Sequence, residues 1–198
     1  MSHNRGDVDI DFADRDHALQ GIPYVAASIY RDQQLIKHNT GVYFHAVPVD
    51  PVTGLCSLDY KMAAEKNCYK IDLLNVGVYE QVRDEAHLLK LMNTPLDWNR
   101  LYEKEFCEKL FHISNHNKLV ADLKPSSIIE LATVLALIRP SKKHLINKCK
   151  LHGFDAVQDE VWTKTEDDAY FFKKSHAIGY SHVVVVHANL LIESEVDQ

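Results

Sequence analysis

The chain lacks any C-x-x-C pair: Cys56, Cys68, Cys107 and Cys149 are widely spaced. That spacing argues against a zinc knuckle or a disulfide framework and leaves reduced, mostly structural thiols as the default. No apolar run approaches the ~20 residues of a membrane span. The polar start Met1-Ser2-His3-Asn4-Arg5-Gly6 has no signal-peptide apolar core, so a cytoplasmic protein without membrane contact is expected. Neither G-x-x-x-x-G-K-S/T nor G-x-G-x-x-G occurs, and the P-loop and dinucleotide-binding classes lose their usual signature. An excess of basic charge is also missing. At a net charge of −6 there is no global attraction to nucleic acid, although Lys142-Lys143, Lys148, Lys150 and Lys173-Lys174 make the last third locally basic. The 198 residues suffice for one large or two small domains, and 46% hydrophobic with 25% charged residues is an ordinary globular composition.

What is present is an alternation of acid and hydrophobe, Asp7-Val8-Asp9-Ile10-Asp11-Phe12, echoed by Lys70-Ile71-Asp72-Leu73-Leu74. As a strand, the first segment puts its carboxylates on one face and Val8, Ile10 and Phe12 on the other. Like charges ~6 to 7 Å apart on one face repel, and acids are poor strand formers, so folding alone gives little reason for the pattern. A bound divalent cation removes the objection, and oxygen-only ligation suits Mg²⁺ or Mn²⁺. The plain alternative is an edge strand with solvated acids.

Pro23 is expected to open a helix over residues 24 to 37, stopped by Asn39-Thr40-Gly41. Residues 41 to 49 and 67 to 74 read as strands around the turn cluster Asp50-Pro51-Val52-Thr53-Gly54. Helices are expected over 78 to 92, from the Asp97 cap to about 110, from the Ser127-Ile128-Ile129-Glu130 capping box to Arg139-Pro140, and over 142 to 151 after Ser141, ending at Gly153. Residues 155 to 165 read as irregular, and a short helix is expected over 167 to 173. The run Val183 to Val186 favours a strand by propensity.

Several segments, in order, resemble the palm and fingers of bacterial DNA polymerase III alpha, the C-family replicative polymerase. Asp7 to Phe12 looks like its P-D-x-D-x-D-F strand, Asn39-Thr40-Gly41-Val42-Tyr43 its R-N-x-G-V-H segment, and Tyr69 to Leu74 its K-x-D-F-L-G strand. Leu123-Lys124-Pro125 with Ala136-Leu137-Ile138-Arg139-Pro140 resembles L-K-P and A-L-x-R-P-G-P; Tyr170 to Tyr180 resembles Y-x-F-N-K-S-H-A-x-x-Y. The resemblance implies an α+β fold: a small polymerase-beta-like nucleotidyltransferase palm sheet over 1 to 93, a mainly helical fingers region over 94 to 193, and a tail over 194 to 198. It also implies a helix from about His176 to Ile192, against local propensity.

Carried over by position, Asp9, Asp11 and Asp72 would be the catalytic carboxylates holding two Mg²⁺ (or Mn²⁺) ions for nucleotidyl transfer from dNTP to a primer 3′-hydroxyl. Asp7 would be structural. Lys70, on the same strand face as Asp72, and Arg139, Lys174, Ser175 and His176 in the fingers would contact phosphate. Alternatives for these are an exposed strand lysine, an arginine capping its own helix end, and an ordinary helix start. The i,i+4 histidines His112 and His116 are interrupted by Ser114-Asn115 and lack a third ligand.

The pattern also departs from the family. Only six residues precede Asp7, and they do not form its triphosphate-cradling Gly-Ser loop; the stretch from Phe12 to Gly41 is too short for a thumb. A reduced palm-fingers subunit is therefore expected to depend on replisome partners that supply these parts and hold primer-template DNA. The reduced size suggests a bacteriophage source, hence the host cytoplasm. Competing classes are a non-catalytic polymerase-derived module binding a replisome protein or nucleic acid, and a metal-dependent nuclease.

Overall fold

The computed structural model describes residues 8–164 and 172–196. It is an α+β protein in two compact units, divided between Gln81 and Val82. The first unit carries a four-stranded mixed sheet in the order β1-β4-β3-β2. Here β1 is Val8–Phe12, β2 Val25–Arg31, β3 Gln34–Tyr43 and β4 Ile71–Asn75, with short helices α1 (Arg15–Ala18) and α2 (Tyr60–Glu65).

The outer strand β1 runs parallel to β4, with Asp9 opposite Asp72 and Ile10 opposite Leu73. Alternation along both strands buries Leu73 with Val42 and Leu19, flanked by Phe12 and Ile71, on one face, and turns Asp9, Asp11 and Asp72 to the other. That second face also holds a small core of Ala27, Tyr43, Cys56 and Ala63.

The helix expected over residues 24 to 37 is instead the β2–β3 hairpin. Asp32 and Gln33 form its two-residue turn with φ of 50° and 65°, the positive values that match strand twist in a tight hairpin. No glycine marks this turn, which is why Pro23 reads as a helix start. The strand expected over 41 to 49 ends at Tyr43, and the later one occupies β4.

β3 carries a second irregularity. Ala26 pairs with Val42 but Ser28 pairs with Lys37, so β3 passes through more residues than β2 and bulges at His38 to Gly41. The bulge is fastened from below by Arg15, 8% exposed, whose guanidinium donates to the Asn39 carbonyl at 3.0 Å. The Arg15 amide donates to Asn75 Oδ1 at 2.6 Å.

The second unit is helical. Its main elements are α3 (Glu85–Asn93), α4 (Lys104–Cys107), α5 (Asn117–Leu123), α6 (Ile128–Leu137), α7 (Ile146–His152), α8 (Gln158–Val161) and α9 (Lys174–Val196). The helix expected over 78 to 92 is split, because Asp84 adopts an extended conformation and caps α3, accepting from the His87 amide at 2.8 Å. The helix expected after Asp97 is broken at the extended Glu103. Ser127 caps α6 through the Glu130 amide at 3.2 Å. The segment expected to follow a Ser141 cap is a 3-10 helix over Pro140–Leu145 that runs into α7, which Gly153 ends at φ 81°. The segment expected to be irregular holds α8. Residues 167 to 171 of the expected short helix, Tyr170 and Phe171 among them, lie outside the described residues, as does Asp7.

Val183 to Val186, the four-valine run of α9, are all buried. Packed against the apolar α6, they gain more from burial than β-branching costs in helix propensity. Asn189 donates from α9 to the carbonyls of Leu91 and Thr94 at 2.9 and 3.0 Å, closing the C-terminal end of α3. No helix among the described residues is long and apolar enough to cross a membrane, and all four cysteines are free thiols.

Candidate functional site

The in-register pairing of Asp9 with Asp72 sets their Cα atoms ~4.8 Å apart on neighbouring strands, side chains on one face. Asp11 follows one pleat repeat further along β1, opposite Leu74. Its carboxylate, after burial, adds to the upward shift of the Tyr79 phenol. These acids are brought to one face by a parallel pairing between segments some sixty residues apart in sequence.

Asp72 is the best-defined of the three. Its Oδ1 accepts from the Thr40 hydroxyl at 2.6 Å, and its Oδ2 is paired with the Lys70 ammonium. Lys70 and Asp72 share a face because they are two residues apart on the chain entering β4. His38 Nδ1 stands 3.7 Å from Asp72 Oδ1, but this is not an ion pair. That nitrogen accepts from the Gly41 amide at 2.9 Å and the Thr40 amide at 3.3 Å, so it is unprotonated and the ring folds the bulge over itself. Burial, then the Lys70 charge, lowers the His38 pKa from its ordinary value.

Gly41 is required where it stands. A Cβ there would lie 2.6 Å from Lys70 Cδ and 3.0 Å from both Ala27 Cβ and His38 Nδ1. The bulge thus brings Thr40 onto Asp72 and lets the lysine stem pass beneath Gly41. The sequence signal for His38, Thr40 and Arg15 is weak, since Asn39-Thr40-Gly41 also reads as a helix stop.

Among the described residues no group of three or more His, Cys, Asp or Glu side chains is assembled around one metal position. The donor chemistry nonetheless fits a hard cation such as Mg²⁺, which is commonly held by one or two carboxylates with water and substrate phosphate completing the shell. Asp9 and Asp72 supply two carboxylates at one register position, with Asp11 further along β1.

The other expected phosphate contacts lie in the helical unit. The Arg139 guanidinium stacks 4.4 Å from the Phe172 ring, and its buried Nε has no hydrogen-bond partner. Phe172 stacks on Tyr180 of α9 at 5.9 Å. Lys174, Ser175 and His176 form the first turn of α9, with the Lys174 ammonium 5.8 Å from the Trp162 ring. Arg139 and the start of α9 are therefore neighbours through Phe172. His112, at φ 62°, packs edge-on against Tyr180 at 4.5 Å. Its pKa is pushed down to about 4 by burial and then by the Arg139 charge. His116 follows in a 3-10 turn, so the helical i,i+4 relation of these histidines does not form. His187 accepts the Phe111 amide at 3.1 Å, a structural contact.

Comparison with known protein families, with curated proteins and with solved structures finds no match to this chain.

Proposed function

We propose that the chain is a palm-and-fingers protein or subunit of a reduced C-family DNA polymerase, catalysing nucleotidyl transfer together with partners that supply the thumb and phosphate loop. The observation that carries this reading is the in-register pairing of Asp9 with Asp72, with Asp11 on the same face. The sheet is a mixed, four-stranded one, which accommodates the finer reading of a polymerase-beta-like palm.

In this proposal Asp9, Asp11 and Asp72 hold the divalent cations. When bound, the cations supply activation of the primer 3′-hydroxyl and neutralisation of triphosphate charge. Thr40 keeps Asp72 in one orientation, and Lys70 contributes a positive charge beside it. In the helical unit the resemblance assigns phosphate contact to Arg139, whose buried guanidinium Nε is unpaired, and to Lys174, Ser175 and His176 in the first turn of α9.

One observation favours a second reading, a non-catalytic polymerase-derived module. Asp72 is already satisfied by Lys70 and Thr40, which is what a retired carboxylate would need.

The deciding experiment is recovery of the tagged protein with its native partners, followed by primer extension with Mg²⁺ for wild type, Asp9→Ala and Asp72→Ala. Extension that disappears in both variants supports the polymerase. A complex with no extension, or extension indifferent to both substitutions, moves the assignment to the binding module; nucleotide release without dNTP moves it to a nuclease.

A further inference from the structure

Asp72 and Lys70 have side chains only 14% and 15% exposed. A carboxylate withdrawn that far from water needs a compensating charge, and an ammonium buried to the same degree needs an anion. Each meets the other's need. The lysine is also guided to its place: its stem runs under Gly41, where any side chain would collide with Cδ, and its ammonium lies 5.8 Å from the centre of the Tyr60 ring. The Thr40 hydroxyl occupies Oδ1, so the lysine covers the remaining oxygen, Oδ2. A divalent cation shared by Asp9 and Asp72 would need an Asp72 oxygen and would meet the ammonium there.

We propose that Lys70 is a resident counter-cation, which neutralises Asp72 in the metal-free protein and is displaced when a divalent cation binds between Asp9 and Asp72. Lys70 then sets the metal affinity of the site, and its ammonium becomes available to an anionic phosphate only after the metal is in place. This rests on the metal-binding reading of Asp9 and Asp72 given above. The exchange is balanced: the hydrogen-bonded Lys70–Asp72 pair separates, the dication exchanges bound water for aspartate oxygen, and no covalent bond or oxidation state changes. A dication prevails because it carries two charges to the ammonium's one and suits oxygen ligands from more than one carboxylate. The coupling runs both ways: whatever draws Lys70 off Asp72 tightens metal binding, and metal binding frees Lys70.

The test uses the full chain stripped with EDTA, titrated with Mn²⁺ and followed by electron paramagnetic resonance of the free ion. Thermal unfolding in EDTA and in Mn²⁺ is measured alongside. Wild type is compared with Lys70→Met, Asp72→Asn and the double variant. Lys70→Met is expected to bind Mn²⁺ roughly tenfold more tightly, as loss of one nearby like charge implies. It should also unfold at a lower temperature than wild type in EDTA and recover in Mn²⁺, while Asp72→Asn loses Mn²⁺ binding. In EDTA the double variant should unfold above Lys70→Met, because the stranded carboxylate is gone. If Lys70→Met does not fold, Lys70→Gln, which keeps a donor without the charge, is read in the same way. Mn²⁺ binding that depends on Asp72 but is unchanged or weakened by loss of the lysine charge overturns the counter-cation role and leaves the metal site standing. No Mn²⁺ binding by wild type or by either Lys70 variant removes the metal reading and this proposal with it.

Discussion

The two units are stabilised in different ways. The helical unit has one continuous core running from Leu96 through α6 and α9 to Ala188. Among the described residues the sheet unit has small clusters on each face, and it exposes Tyr30, Leu35, Ile36 and Phe44. What the sheet unit lacks in apolar burial it replaces with specific polar contacts: Arg15 on the bulge, Ser28 on the Cys56 carbonyl at 2.6 Å, Asp59 on the Tyr30 amide at 2.8 Å, and the Thr40–Asp72–Lys70 group. Apolar cores tolerate local rearrangement within limits of volume, whereas a buried polar contact fails when one partner is removed. The candidate metal ligands sit where geometry is set by hydrogen bonds; the helical unit is set by packing.

The largest expected effect is in the packed core. Leu135→Ala in the fully buried face of α6 should destabilise by about 3 to 4 kcal/mol in denaturant unfolding. A loss below ~1 kcal/mol would mean that α6 is not the centre of that core.

Protonation should be next in size. His112 is held neutral down to about pH 4, while an unfolded histidine takes up its proton near 6.5. Below ~6.5 the unfolded state binds more protons, so stability is complete above that value and falls as pH drops toward 4. His112→Asn, which tolerates the positive φ, should flatten unfolding measured across this window. Glu193 acts lower on the scale. Hydrogen bonds from Lys90 and His87 hold its carboxyl at about 2, so its contribution is present above ~4.5 and lost as pH falls toward 2. Glu193→Gln should remove that acid-side dependence, and a persistent one would place the titrating group elsewhere.

A smaller, opposite effect is expected in the sheet unit. Tyr43 is buried and its hydroxyl has no hydrogen-bond partner. Burial, with Cys56 and Cys68 nearby, pushes its pKa up to about 12. Tyr43→Phe should be neutral or stabilising by up to ~1 kcal/mol; a clear loss on thermal melting would reveal a hidden partner. The smallest effect is at the hairpin. Gln33→Gly should stabilise by about 0.5 to 1 kcal/mol by relieving a positive φ, and destabilisation there would break the assigned turn.

The same contrast explains what could be read in the sequence. The Ser127 capping box, the Gly153 stop and the acid alternation of β1 are local signals, and each corresponds to an element. The hairpin lacks the glycine that usually announces its turn. The four-valine run becomes helical because tertiary packing outweighs propensity. Asp9 and Asp72 are visible as acids at strand positions, but their register depends on pairing across the sheet. His38, Thr40 and Arg15 act through a bulge that no short-range pattern specifies.

β1 is an outer strand, and it displays Asp9 and Asp11 beside the half-exposed Ile10. A strand edge with a single apolar residue between two charges is a poor template for another chain's strand. The acids therefore also protect the protein from sheet-to-sheet association. Replacing both with alanine would remove charge and that protection together. Asparagine at the same positions keeps the polarity, and makes the cleaner probe of what the carboxylates do.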